Sequence, residues 1–107
     1  MRGQIGQLMQ QAQRMQEDMK RAQEEIAKLE VTGSAGAGLV TVQMTGAHEV
    51  RRVQIDRKLF ADDPEMAEDL VAAAVNDAVN KVAEVSKSRL GGVTAGLNLP
   101  PGFKMPF

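Results

Sequence analysis

Residues 5–29, IGQLMQQAQRMQEDMKRAQEEIAKL, carry the strongest periodic pattern in the chain. Apolar side chains recur there in alternating steps of three and four residues, at Ile5, Leu8, Ala12, Met15, Met19, Ala22, Ile26 and Leu29. This spacing predicts a long amphipathic helix with a single apolar stripe, and the Gln, Glu, Lys, Arg and Ala residues between the apolar positions also favour helix. No proline interrupts the pattern, and Gly33 is expected to stop it.

The length of this helix bears on the shape of the protein. A helix of about 27 residues is about 40 Å long, whereas a compact chain of 107 residues has a radius of gyration of about 13 Å. We therefore expect one end of the helix to project. A parallel coiled coil of two copies would place Glu25 opposite Glu30 of the other copy, so we expect the apolar stripe to pack on a different helix.

The residues that follow predict an antiparallel β-hairpin. Residues 39–45 alternate apolar and polar side chains, which is typical of a half-buried strand, and residues 50–55 form a return strand after a turn at 46–48. Because an isolated hairpin is marginally stable in water, one face of it must be covered by a helix.

Before the hairpin lies a glycine-rich stretch. Residues 33–38, GSAGAG, are expected to form a flexible break, and Val31-Thr32 to add a short third strand. A nucleotide-binding interpretation of the glycines is disfavoured, because they precede a strand, whereas a dinucleotide fingerprint follows a strand and opens a helix.

A second helix is predicted after Asp62-Asp63, which can cap it, with Pro64 at its first position. It is expected to run to about Arg89 and to end at Gly91-Gly92. Its broad apolar stripe comprises Met66, Leu70, Val71, Ala74, Val75, Ala78, Val79 and Val82. Residues 1–90 are thus expected to form one α-β-β-β-α domain of the α+β class.

The C-terminal tail, residues 91–107, is rich in glycine and proline and is therefore not expected to be helical. Its Leu97, Leu99, Phe103, Met105 and Phe107 are too apolar for a plain linker. The tail either packs on the body, docks on a partner subunit, or remains an exposed adhesive segment.

Composition excludes much enzyme chemistry. The chain has no cysteine and one histidine, His48, so disulfide scaffolds, thiolate nucleophiles and zinc cages are ruled out. No motif places a nucleophile beside His48 and Glu49, and the Asp56, Asp62, Asp63 group lacks the spacing of a calcium loop. We therefore expect neither an enzyme nor a cofactor, metal or small-molecule substrate.

Location and assembly are also constrained. The N-terminus lacks an apolar signal core and the longest apolar run, residues 70–75, is far too short to span a membrane, so a cytoplasmic location and no membrane partner are expected. The three phenylalanines are the only aromatic residues and there are seven methionines. A chain with so few large rigid side chains is expected to complete its core in a homodimer.

The net charge of −1 conceals an uneven distribution. Residues 1–14 and 81–107 together carry +5, and residues 15–80 carry −6. If the two long helices pack antiparallel, the basic segments meet in a basic tip that can neutralise phosphates. The basic residues of these segments include Arg2, Arg14, Lys81, Lys87 and Arg89. Arg14 can instead pair with Asp18, and Lys81 with Asp77, four residues apart on a helix.

The ordered series of local motifs resembles the YbaB/EbfC family of bacterial nucleoid-associated proteins. After the first helix, the matching segments are EVTGSAG at 30–36, LVTV at 39–42, VQID at 53–56, EDLVAAA at 68–74, GG at 91–92 and LPPGF at 99–103. The resemblance covers nearly the whole chain. No single segment is specific, but their order is.

This resemblance implies a long helix, a three-stranded antiparallel sheet and a second long helix, assembled into a tweezer-like homodimer. It implies binding of double-stranded DNA, a location at the nucleoid, effects on gene expression, and no enzymatic activity or cofactor. DNA contacts would come from the helical arms, mainly to phosphates, and the candidates at matching positions are Arg2, Arg14, Lys81, Lys87 and Arg89.

An alternative function is a protein-interaction or scaffolding dimer with weak, incidental DNA binding. The apolar tail and the glutamines on one face of the first helix, Gln4, Gln7 and Gln11, would then recruit another protein. The acidic isoelectric point of about 5.8 favours this alternative.

Overall fold

The computed structural model of the chain describes residues 2–95. The elements follow the order α1 (Arg2–Lys28), β1 (Glu30–Ala35), β2 (Val40–Thr45), β3 (Val50–Ile55), α2 (Arg57–Asp62) and α3 (Pro64–Ala95). The three strands form one antiparallel sheet in the order β1-β2-β3. The predicted α+β class, with two long helices and three antiparallel strands, is confirmed.

The first helix has the predicted length but a different stop. α1 spans 27 residues and ends at Lys28, where the N–H of Leu29 donates to the carbonyl of Ile26. Gly33 therefore does not terminate α1 as expected. It lies within β1, and its role there is one of close packing against α3.

The predicted flexible break at residues 33–38 is also wrong in its first half. The third strand, expected only at Val31-Thr32, extends to Ala35 and pairs with β2 in the register Gly33↔Val42 and Ala35↔Val40. Only residues 36–39 form the turn, where Gly36, Ala37 and Gly38 all have positive φ angles. The glycines thus permit a tight turn between the two strands, in which the backbone adopts the left-handed conformation.

The hairpin of β2 and β3 matches the predicted segments. The side chain of Thr45, itself buried, accepts hydrogen bonds from the N–H groups of Ala47 and Glu49 and so holds the turn. His48 lies in that turn with a φ of 64° and an exposed side chain. An irregularity between Gln43 and Met44 shifts the register of β2 and β3 next to this turn, so that Met44 is opposite Val50.

Two aspartates cap the helices that follow. The Asp56 side chain accepts from the N–H groups of Lys58 and Leu59 and so begins α2, a short helix that the sequence pattern did not predict. Asp63 accepts from the N–H of Met66 at 3.1 Å and caps α3, as expected for this position.

The second long helix continues past its predicted end near Arg89. α3 runs through Gly91 and Gly92 to Ala95. A glycine inside a helix costs only about 1 kcal/mol relative to alanine, so a strong preceding helix can absorb the cost. The first residues of the predicted tail are therefore helical, whereas residues 96–107 lie outside the described part of the chain.

The core is a layer of valine and alanine between α3 and the sheet. The side chains buried there are Val40, Val42, Met44, Ala74, Ala78 and Val82. Gly33 lets α3 approach closely, because a Cβ at this position would contact the carbonyl oxygen of Ala74 and the backbone nitrogen of Ala78. Small side chains and a glycine thus form this core, and Phe60, the one phenylalanine among the described residues, is 61% exposed and does not contribute to it.

The C-terminal half of α1 packs on α3, and the N-terminal half projects. Ala22 and Ile26 are buried, and Gly46 of the hairpin lies directly against the carbonyl of Ile26. The molecule measures 73 × 26 × 15 Å and has a radius of gyration of 20.1 Å, so it is far from compact. The predicted projection of one helix end is confirmed.

Candidate nucleic-acid interface

The projecting half of α1 is an exposed, acid-free helix. Residues 3–14 are all exposed, and residues 2–16 contain two arginines and six glutamines but no Asp or Glu. Helix propensity is sufficient to explain this composition, since glutamine and arginine are good helix formers. The result is a rod of donor groups on which a polyanion meets no repelling carboxylate.

Arg14 lies at the inner end of this free half. It lines a shallow depression with Gln7, Gln10 and Gln11. The predicted pair with Asp18 is absent from the ion pairs of residues 2–95, because Asp18 lies 3.9 Å from Arg21 instead. Arg14 is therefore an exposed cation with no ion-pair partner in the described chain.

Lys81 has a structural role in the fold. Its ammonium group lies 3.1 Å from the carboxylate of Asp77, which confirms the predicted pair, and it also donates to the carbonyl of Thr32 at 2.7 Å. The same Asp77 carboxylate accepts from the N–H of Ser34 at 2.9 Å. That backbone hydrogen bond, followed by the one from Lys81, lowers the pKa of Asp77. Together these groups fasten α3 to β1.

Lys87 and Arg89 lie near the C-terminal end of α3. Lys87 is exposed and takes part in no ion pair within the described residues. The guanidinium group of Arg89 lies 4.0 Å from the carboxylate of Glu25 and lines a depression that also includes Asp18 and Arg21. Because both side chains of the Arg89–Glu25 pair are about half exposed, this pair is weak and can be exchanged for a phosphate.

The expectation that the basic segments meet is wrong for Arg14 and Arg89. Arg89 is level with Glu25, eleven residues from Arg14 along α1, which is about 16 Å. Arg2 is the first residue of α1, a further 18 Å or so along the helix, and its side chain lies outside the description. The five predicted residues therefore do not form one patch: Arg2 and Arg14 belong to the projecting half of α1, Lys87 and Arg89 to the C-terminal end of α3, and Lys81 lies beside β1.

Sequence reasoning missed Arg21, which shares the depression with Arg89. A signal was available, since Arg14, Arg21 and Lys28 are spaced seven residues apart and so lie along one face of α1. Four further exposed cations belong to β3 and α2: Arg51, Arg52, Arg57 and Lys58. No ion pair within residues 2–95 engages them.

Other kinds of site receive no support from the geometry. Within the described residues, no group of three or more His, Asp or Glu side chains is arranged to hold a metal ion. No helix among these residues is long and apolar enough to cross a membrane.

Comparisons with known proteins agree with this picture. The model of the YbaB/EbfC DNA-binding family matches residues 1–97. Nucleoid-associated proteins of Xanthomonas campestris pv. campestris and of Xanthomonas euvesicatoria pv. vesicatoria are each 64% identical over 107 residues, covering 100% of both chains.

A solved structure shares the fold. The crystal structure of an uncharacterized protein from Helicobacter pylori superimposes with a TM-score of 0.65 at 26% sequence identity, over 87% of this chain and 96% of the other. The match by sequence is to a DNA-binding family and not to an enzyme family. On these grounds, the chain belongs to the YbaB/EbfC DNA-binding family.

Proposed function

We propose that this protein binds double-stranded DNA as a homodimer at the nucleoid and thereby influences nucleoid organisation and gene expression. Binding is mainly through phosphate contacts from the helical arm, by which we mean the projecting half of α1 together with the C-terminal end of α3. The observation that carries the proposal is the projecting, acid-free half of α1 with its unpaired Arg14. A polyanion attracted to such an arm releases counterions without having to displace an intramolecular partner.

The geometry ranks the five candidate residues. Arg14 and Lys87 are exposed and unpaired within the described residues, and Arg89 exchanges a weak pair with Glu25 for phosphate. Arg2 extends the arm at its end. Lys81 contributes least to DNA contact, because both Asp77 and the Thr32 carbonyl already hold its ammonium group.

The test is a salt titration with a labelled duplex. Fluorescence anisotropy of a 30-base-pair DNA should report binding at ~50 mM salt that weakens about 100-fold by ~200 mM if about four phosphates are contacted. Absence of binding at the lower salt concentration contradicts the proposal.

A matched pair of variants tests the site. Arg14→Glu with Lys87→Glu should weaken binding at least about 10-fold and flatten the salt dependence, because phosphate contacts are lost. Arg57→Glu with Lys58→Glu makes the same charge change on the exposed surface of α2 and should alter affinity by less than about 3-fold. Equal losses in the two variants would show that net charge alone governs binding and would refute the assignment to the arm.

The scaffolding alternative retains one specific observation. Ile5, Leu8 and Met9 are 59%, 64% and 63% exposed, and they lie on the same projecting half of α1. Exposed apolar side chains at helical spacing are typical of a surface that docks in a protein groove. Replacing all three by glutamine keeps the cations in place, so unchanged DNA affinity with loss of a protein partner would favour the alternative.

A further inference from the structure

The apolar stripe of α1 is covered over only part of its length. Ala22 and Ile26 are buried where α1 packs on α3. Towards the N-terminus, the same stripe is first half-buried and then fully exposed, and its inner part forms a shallow apolar depression. We call this continuation the open stripe; its members are Ile5, Leu8, Ala12, Met15 and Met19.

α3 ends beside the open stripe. Lys81 contacts β1, whereas Arg89, further along α3, lies 4.0 Å from Glu25 of α1. α3 therefore advances along α1 towards the α1 N-terminus. Ala95, the last residue of α3, is six residues beyond Arg89, or about 9 Å. It thus lies about level with Met19, at the inner end of the open stripe.

The sequence after α3 carries an apolar pattern with a period of two. We call residues 96–107, GLNLPPGFKMPF, the strap. Its leucine, phenylalanine and methionine residues all fall at odd-numbered positions, and Lys104 is its one charged side chain. Since alternate side chains of an extended chain point to opposite sides, an extended strap has one apolar side. The residues of that side are Leu97, Leu99, Phe103, Met105 and Phe107.

The strap is long enough to cover the open stripe. The fourteen helical residues from Met19 to Ile5 span about 21 Å. The twelve residues of the strap can span up to about 40 Å when extended. A segment tethered this close to its binding surface has an effective concentration in roughly the millimolar range. The tether therefore favours the strap over an unattached protein as the occupant.

The cations of α1 lie on the other side of the helix. Arg14 shares its depression with Gln7, Gln10 and Gln11, none of which belongs to the open stripe. At helical spacing, Arg14 lies nearly opposite Ala12 and Met19 around the helix axis. A strap that covers the open stripe therefore leaves Arg14 exposed to a phosphate.

We propose that residues 96–107 lie extended along the open stripe of the same chain, with their apolar side on α1. This contact buries apolar surface of both segments, and it stabilises the projecting half of α1, which as an isolated helix is marginal in water. The inference goes beyond DNA binding, because the contact forms without DNA. A strap from a second copy and a different protein are the other occupants that the experiments distinguish.

The first experiment measures cleavage after Arg14 by an arginine-specific protease. Cleavage within a helix requires local unfolding, so its rate reports the stability of the projecting half. A chain that ends at Ala95 should be cut after Arg14 at least about 10-fold faster than the full chain, because burial of even one large apolar side chain shifts an opening equilibrium by about that factor. Cleavage after Arg21, where α1 packs on α3, should keep its rate. Equal rates after Arg14 in the two chains overturn the proposal.

A matched pair of variants keeps the strap at full length and tests its two sides. The apolar-side variant carries Leu99→Ser, Phe103→Ser and Met105→Ser, and it should be cut after Arg14 as fast as the shortened chain. The polar-side variant carries Asn98→Ser, Lys104→Ser and Pro106→Ser, and its rate should stay within about 3-fold of the wild type. Equal rates in the two variants overturn the one-sided contact.

The second experiment identifies the occupant of the open stripe. Because the chain has no cysteine, Lys104→Cys provides a single attachment site for a nitroxide spin label. In an isotope-labelled chain that carries the nitroxide, the amide resonances of residues 3–14 should broaden, and those of α2 should not. When spin-labelled chains without isotope are refolded together with isotope-labelled chains without nitroxide, residues 3–14 should stay sharp. Broadening in this mixture assigns the open stripe to the strap of a second copy, and no broadening in either sample leaves it to a different protein. Either result overturns the proposal.

Discussion

Gly33→Ala is the substitution for which the structure makes the sharpest stability prediction. A Cβ at Gly33 would meet the carbonyl oxygen of Ala74, the backbone nitrogen of Ala78 at 2.5 Å and the Cβ of Ala78 at 2.8 Å. Two of these neighbours are backbone atoms, so no side-chain rotation relieves the overlap. α3 must retreat from the sheet by about 1 Å, a gap that forfeits a quarter to a half of each contact across the interface.

The magnitude follows from two opposing effects. Overpacking of this kind costs about 3 kcal/mol, the upper end of the usual range, because the obstruction is backbone. Replacing a strand glycine returns about 0.5–1 kcal/mol through the lower entropy of the unfolded chain. We therefore expect the free energy of unfolding to fall by about 2 kcal/mol, which shifts a urea midpoint by about 1 M.

The assay is urea unfolding followed by circular dichroism at 222 nm, because the chain has no Trp or Tyr to serve as a fluorescent probe. All proteins are compared at one concentration, because the proposed homodimer would make stability depend on concentration. Gly92→Ala is the control: nothing lies within 4 Å of its added Cβ, so it should stabilise the protein by up to about 1 kcal/mol. If Gly33→Ala is as stable as the wild type, the close approach of α3 to β1 is wrong.

Three further substitutions test separate contacts by the same unfolding assay. Asp77→Asn should destabilise the protein more at pH 7 than at pH 3: the folded pKa of Asp77 is lowered from 3.8, so its contribution is fully present above 3.8 and is lost as the pH falls through the lowered pKa of the folded state. An equal effect at both pH values would contradict the assigned pairing. Ile26→Ala should cost about 3 kcal/mol because its side chain is buried, whereas the exposed Ile5→Ala should stay within about 0.5 kcal/mol of the wild type; similar losses would show that the free half of α1 is packed. Asp63→Ala should cost about 1 kcal/mol through loss of the cap on Met66, and a neutral result would mean that another group serves the α3 N-terminus.

The helices and the hairpin could be predicted because their signals are local and repeated. Eight apolar positions defined α1, and the alternation of Val40, Val42 and Met44 defined β2. Each pattern reports one buried face, and that face was found buried, apart from the projecting half of α1. Such patterns do not depend on which element packs against the buried face or on the register of strand pairing, so they can be detected in a single sequence.

Glycine was where local reasoning failed. Local patterns predict that Gly33 and Gly91 end helices, because glycine is the usual residue at a helix end. Gly33 is instead required because the backbone of Ala74, 41 residues away in sequence, lies where the side chain of any other residue would be. A tertiary requirement of this kind leaves no periodic trace.

The candidate interface was predictable in its residue types but not in its arrangement. Pairing rules for one helix identified Lys81 with Asp77 correctly, since both lie on α3. The same rules could not find Glu25 as the neighbour of Arg89, because that contact depends on how far α1 and α3 slide past each other. Charge totals therefore indicated a basic tip, whereas the packing spreads the cations along an arm.

The division of α1 into a packed half and a free half has a consequence for amide hydrogen exchange. The amide protons near Ala22 and Ile26 become accessible to solvent only when α1 separates from α3, so they should exchange slowly. Residues 3–14 are exposed throughout the described part of the chain, so their amide protons are protected only as far as the helix itself persists, and an isolated helix of this length is marginal in water. A ligand that binds the projecting half of α1 should stabilise the helix there and slow amide exchange. Increased protection confined to residues 3–14 would therefore identify the occupied surface.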